Sequence, residues 1–103
     1  NDDGLRDRLL AASQSTHERL WPLPLWDDYQ QAIKSNVADM KNTGGRMGGV
    51  GTSAIFLKHF TDYAWAHLDI AGMALADREK GYIPAGGVGF GVRLLVEFLQ
   101  NWA

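Results

Sequence analysis

Five glycines fall within the eight residues from Gly44 to Gly51, and they run straight into the apolar segment Ala54–Phe60. Each glycine costs backbone entropy to order, so a run this dense implies positive φ values or a close approach of the backbone to something else. The chain around it reads NVADMKNTGGRMGGVGTSAIFLKHF (36–60), then TDYA, then WAHLDIAG (65–72). A loop of this kind feeding a helix suits either a ligand cradle or a tight packing joint. The two are separated by what flanks the glycines.

Phosphate-loop binding is excluded at once, because no glycine is followed by Lys-Ser or Lys-Thr to supply an ammonium and a metal-bound hydroxyl. A dinucleotide fingerprint is the alternative: Gly49, Gly51 and Ala54 satisfy G-x-G-x-x-A at a helix start, with Asp69 about 20 residues further on. That motif requires a buried strand before the glycines, and DMKNTGGRM is polar. A loop that packs a helix closely and lines a cleft is the better fit.

The remaining elements follow from spacing. Asn1–Asp3 offers N-cap side chains, and Leu5, Leu9, Leu10 and Ala12 recur at helical intervals, which predicts a helix over about 4–19. The acidic residues Asp2, Asp3 and Asp7 suit a solvated helix start. Pro22 and Pro24 make LWPLPLW an extended connector, with Leu20, Leu23 and Leu25 as apolar plugs. Asp27 or Asp28 caps a short helix to about Lys34, and Thr52 or Ser53 caps a largely buried helix to about Tyr63. Ala66–Ile70 reads as a strand, residues 76–87 as a loop, and 88–102 as an amphipathic helix through Val88, Val92, Leu95, Val96, Leu99 and Trp102. One strand cannot make a stable sheet, so the order describes an α/β layer whose sheet is incomplete on its own.

Composition narrows the function classes. A chain of 103 residues holds one domain at most. Ten basic against twelve acidic residues, with no basic patch, argues against nucleic-acid binding by this segment. No apolar run approaches the roughly 18–20 residues of a membrane span, and without cysteines there is no thiolate metal site. The opening NDDGLRDRLL has neither an initiator Met nor a signal-peptide pattern, and reads as a piece beginning mid-protein. Four tryptophans with four phenylalanines and three tyrosines are more aromatic area than a core this small hides, so part of it is expected to cover a partner or another part of the polypeptide.

Candidate chemistry is thin. His67 and Asp69 share one face of the expected strand as a possible pair of metal ligands, but catalytic zinc needs three protein ligands. His17 and His59 lack suitable partners at helical spacing, and the adjacent Asp27 and Asp28 point apart. The residues alone supply no catalytic set and no metal site.

Five blocks nevertheless stand in one order and spacing: WPLPLWDDY (21–29), SNVADMKNTGGRMGG (35–49), TSAIFLKHF (52–60), WAHLDIAG (65–72) and GFGVRLLVEFL (89–99). In these blocks the chain resembles the C-terminal part of the leucyl aminopeptidase family, cytosolic two-metal exopeptidases. The resemblance implies the C-terminal portion of a three-layer α/β/α catalytic domain, spanning 1–103 with no second domain. It further implies removal of N-terminal residues from peptides by metal-activated water, with two divalent ions (Mn or Zn) and a bicarbonate held by residues upstream. No catalytic or metal residue is then expected in this segment. The turn Ala71, Gly72, Met73 and Ala74 is expected to line the pocket for the substrate's first side chain, roomier where Ala74 replaces the Met of some members. The implied partners are the upstream part of the enzyme, peptide substrates and further copies in a homohexamer, in the cytoplasm.

Overall fold

Leu5, Leu9 and Ala12 lie on one face of a helix, and the chain buries that face first. The computed structural model describes residues 1–102 and divides into two compact units. One joins Asp3–Trp21 to the segment from Leu68 onward; the other joins Asn1–Asp2 to Pro22–His67.

The first unit holds helix α1 (Asp3–Thr16), a two-stranded antiparallel hairpin of β1 (Leu75–Ala76) and β2 (Gly86–Gly87), and helix α3 (Val92–Gln100). Its core is aliphatic: Leu9, Ala12 and the fully buried Leu94, flanked by Leu5, Leu20, Leu68 and Phe98. Polar ties fasten α1 to α3 around that core. Ser15 Oγ donates to Glu97 Oε1 at 2.9 Å, and Arg8 lies 5.0 Å from the Trp102 ring centroid while its Nη1 donates to the Trp102 carbonyl at 2.8 Å. The charges of the first turn stay wet, Arg6 bridging Asp3 and Asp7 at 2.6 and 2.8 Å.

Helix α1 ends three residues before the expected Arg19. His17 takes φ +60°, a left-handed conformation that closes helices. The chain then turns back, and Ser13 Oγ accepts from the Leu20 amide at 2.9 Å, which seats Leu20 on the core. Helix α3 starts at Val92 rather than near Val88, because Gly89 and Gly91 adopt φ +67° and +94°. The apolar periodicity of 88–102 continues through this turn, which is why spacing alone overextends the helix.

The second unit holds a 3₁₀ helix (Asp27–Ile33) and helix α2 (Gly49–Lys58). Neither aspartate caps the 3₁₀ helix as expected. Its N-cap is Trp26, without a side-chain cap bond, and Asp27 instead faces Lys58 at 3.7 Å. Thr52 and Ser53 likewise sit inside the first turns of α2, and both hydroxyls donate back to the Gly49 carbonyl, at 3.2 and 2.7 Å. The N-cap is Gly48, at φ +68°. The helix stops at Lys58, and only Thr52, Ala54 and Ile55 are buried on it, so it is less enclosed than its composition suggests.

The glycines earn a specific explanation here. A Cβ on Gly51 would stand 2.8 Å from Tyr29 Cε2, and one on Gly44 would stand 2.6 Å from Thr52 Cγ2. The run is a packing joint: Gly51 lets the Tyr29 ring lie on the backbone of α2, and Gly44 lets the loop close over Thr52. Gly51→Val is therefore expected to destabilise the protein by about 1–3 kcal/mol through overpacking, despite the better helix propensity of the new residue. In a Tyr29→Ala background most of that cost should vanish, as a double-mutant cycle by urea unfolding would show. An unchanged cost would mean that Tyr29 is not what Gly51 accommodates.

The expected strand Ala66–Ile70 is not a strand among the described residues. A ladder needs a neighbour, and among the described residues no segment pairs with it. The loop 76–87 contributes strand residues instead, β1 pairing with β2 in the register Leu75↔Gly87 and Ala76↔Gly86. The architecture is thus helical with one small, unclosed two-stranded sheet. The aromatics do not form a compact core: Trp21, Trp26 and Trp102 are each more than half exposed.

Candidate functional site: the Asp69–Ala74 turn

Asp69 and the residues after it form the most tightly bonded exposed turn of the first unit. Asp69 Oδ1 accepts the Ala71 amide at 2.9 Å, an Asx-type closure that a short acceptor side chain makes with the backbone two residues on. The Ile70 carbonyl accepts both the Met73 and the Ala74 amides, each at 2.9 Å. The Ala74 carbonyl in turn accepts the Val88 amide at 3.0 Å, just beyond the β1–β2 pairing. Four hydrogen bonds thus fix a turn whose side chains are small or flexible. Ala71, Gly72 and Met73 face solvent, Ala74 is half-buried, and neither Gly72 nor its surroundings crowd the surface. Chemically Ala71, Gly72, Met73 and Ala74 can offer apolar contact and steric limits, and the one carboxyl group of the turn, Asp69, is engaged with the Ala71 amide.

The N-terminal end of α3 is held by Glu18, a residue that helical spacing does not single out. Glu18 is 5% exposed, and its Oε2 accepts the Gly91 amide at 3.1 Å and the Leu94 amide at 2.9 Å. Arg93 Nε lies 3.4 Å from the other oxygen. Helix α3 has only a glycine at its N-cap, so its orphan amides have no local acceptor, and Glu18 reaches them across the fold. The positive end of the helix dipole and the two amides together offset the burial of the carboxyl group. The signal was present in the sequence: an amphipathic helix preceded by G-x-G, with no Ser, Thr, Asp or Asn to cap it.

The metal pair suggested by His67 and Asp69 finds other occupations. The Asp69 carboxyl group closes the turn, and the His67 ring lies against Trp65, centroids 6.1 Å apart. Among the described residues no three His, Asp or Glu side chains come together in a way that could hold a metal ion. The dinucleotide alternative also loses its context. No strand precedes α2 among the described residues, Gly51 is occupied by Tyr29, and Asp69 is engaged with Ala71. No helix among them is long and apolar enough to cross a membrane.

Comparison with known proteins places this arrangement. The family model for the cytosol aminopeptidase family, catalytic domain, matches residues 1–96. A probable cytosol aminopeptidase of Chlorobium phaeobacteroides is 51% identical over 105 aligned residues, covering 100% of this chain and 21% of the relative. One from Syntrophotalea carbinolica is 52% identical, covering 98% of this chain and 20% of the relative. Among solved structures, the cytosol aminopeptidase of Coxiella burnetii superposes with a TM-score of 0.87 at 36% identity, over 99% of this chain and 23% of that one. The bottromycin maturation enzyme BotP, in complex with Mn, gives 0.87 at 42% identity over 96% of this chain and 22% of that one. The chain spans about one-fifth of the length of these curated relatives. It belongs to the cytosol aminopeptidase family, and it corresponds to part of that family's catalytic domain.

Proposed function

We propose that this chain is the wall-forming portion of a cytoplasmic, metal-dependent leucyl-type aminopeptidase, a three-layer α/β/α enzyme that removes N-terminal residues from peptides. On this reading the rest of the enzyme holds the divalent ions and the bicarbonate; among the described residues no three His, Asp or Glu side chains come together to hold a metal. Its partners on this reading are that remaining part, peptide substrates and further copies in a hexamer. The turn Ala71–Ala74 forms one side of the pocket for the first side chain of the substrate.

The observation that supports this reading most is the Asp69–Ala74 turn itself: a rigidly bonded, exposed turn of small residues inside a segment matched throughout by aminopeptidase relatives. Substrate pockets are lined mainly by apolar groups on pre-formed backbone, and this turn has that character. Substitution at Ala74 tests it, because a Met there should lower the preference for bulky first residues. The division of labour has its own test. Residues 1–103 alone should hydrolyse no leucine p-nitroanilide with Mn²⁺ or Zn²⁺ added, whereas turnover above the metal-only control would put catalytic groups inside this chain.

A further inference from the structure

The buried Glu18 and the Ala71–Ala74 turn hold the two ends of one short backbone segment, residues 88–91, by hydrogen bonds. Glu18 Oε2 holds the amides of Gly91 and Leu94, at 3.1 and 2.9 Å. Three residues before Gly91 stands Val88, whose amide donates to the Ala74 carbonyl at 3.0 Å. Between them lie Gly89 and Gly91, at φ +67° and +94°, and the Val92 amide donates to the Gly89 carbonyl at 3.2 Å. Gly89 and Gly91 bring no side chain to this connection, which leaves the half-buried Val88 and Phe90 and the anchors at its two ends to set its shape. One end is the β1–β2 pairing, only two residues per strand. Glu18 is the other.

We infer that Glu18 is a positioning residue for first-residue selectivity: by capping α3 it fixes the Gly89–Gly91 turn, and through it the Val88 amide that sets the Ala74 carbonyl and the pocket wall. This rests on the reading of Ala71–Ala74 as that wall. Glu18 has no contact with substrate on this account. Its effect is to keep the wall from yielding, so that a side chain of the wrong size is excluded rather than accommodated. Helix α1 itself, which ends before Glu18, meets α3 elsewhere: Ser15 binds Glu97 and Arg8 binds the Trp102 carbonyl, toward the far end of α3.

The test uses the complete enzyme carrying this chain and four variants: Glu18→Ala, Glu18→Gln, Ala74→Met and, as a control for simple loss of stability, Leu9→Val in the core beneath. Each is assayed on p-nitroanilides of glycine, alanine, leucine and phenylalanine. Glu18→Gln keeps an acceptor oxygen and serves where Glu18→Ala does not fold. Expected for the Glu18 variants is a change of about fivefold or more in the leucine-to-glycine ratio of kcat/KM, carried mainly by KM, with kcat on glycine substrate within about twofold of the native value. Leu9→Val should leave the ratio where it was. If Ala74→Met shifts the ratio and Glu18→Ala does not (or Glu18→Gln, where Glu18→Ala does not fold), the positioning role is overturned while the pocket reading stands. A shift in Leu9→Val equal to that in Glu18→Gln also overturns it, since the effect would then be one of stability alone. If Ala74→Met leaves the ratio unmoved, the pocket reading falls and the role of Glu18 falls with it.

Discussion

Glu18→Ala should be strongly destabilising, costing about 3–5 kcal/mol, because it strands two buried amides at once. Gly91 and Leu94 are both buried, and Leu94 is 0% exposed. Each N–H left without an acceptor costs on the order of 1–3 kcal/mol, and the helix also loses a negative group at its positive end. The N-cap residue cannot take over, since Gly91 has no side chain, and both amides donate to the one oxygen of Glu18. Glu18→Gln should cost less, about 1–2 kcal/mol, because the amide oxygen still accepts while the charge assistance is lost. Arg93→Ala is the contrasting control: its side chain is 60% exposed and its contact with Glu18 is 3.4 Å, so the loss should stay below about 1 kcal/mol. Denaturant unfolding of the complete protein measures all three. Equal losses for Glu18→Ala and Arg93→Ala would mean that the exposed ion pair, rather than the cap, is what Glu18 contributes.

The second large effect is on specificity. With Ala74→Met in the complete enzyme, kcat/KM for peptides beginning with leucine or phenylalanine should fall about tenfold to a hundredfold relative to those beginning with glycine or alanine, since added methylenes in a pocket are worth roughly 1–3 kcal/mol of discrimination. The added side chain starts from a half-buried Cβ on a backbone pinned through its amide to Ile70 and through its carbonyl to Val88. It cannot be absorbed by moving the turn without breaking those bonds. The loss should therefore fall on large first residues and spare small ones. Kinetics unchanged across a glycine-to-phenylalanine series would remove Ala74 from the pocket.

How much of this was readable from the chain depends on where the determining contact lies. The short helix at 27–33 is expected from an aspartate cap that the structure replaces with Trp26, whereas the helices around residues 5–12 and 92–100 follow from apolar spacing because each buries one face locally. Their ends do not. His17 at φ +60° and the glycines 89 and 91 set boundaries through backbone conformations that periodicity does not register. Thr52 and Ser53 look like N-caps, yet the flexible Gly48 extends α2 one turn earlier and turns their hydroxyls back onto Gly49. Residues 66–70 have strand composition, but strand identity is a property of a pair, and among the described residues nothing pairs with them. Glu18 was the costliest omission. It lies 73 residues from Gly91, so no local pattern marks it, and only the absence of a capping side chain before α3 hinted that something distant must supply one. Family membership was legible from five blocks in register, whereas the roles of Ala71–Ala74 rest on resemblance joined to the geometry of the turn.

The central claim is that this chain shapes the pocket for the first residue and leaves the chemistry to groups elsewhere. A crystal structure of the complete enzyme with a slow peptide analogue bearing leucine at its N-terminus tests it most directly. The account predicts that the leucine side chain lies within about 4 Å of Ala71 or Ala74, in apolar contact, with no side chain of this segment bound to a metal. A leucine side chain remote from the Asp69–Ala74 turn, or a metal held by His67 or Asp69, would contradict it.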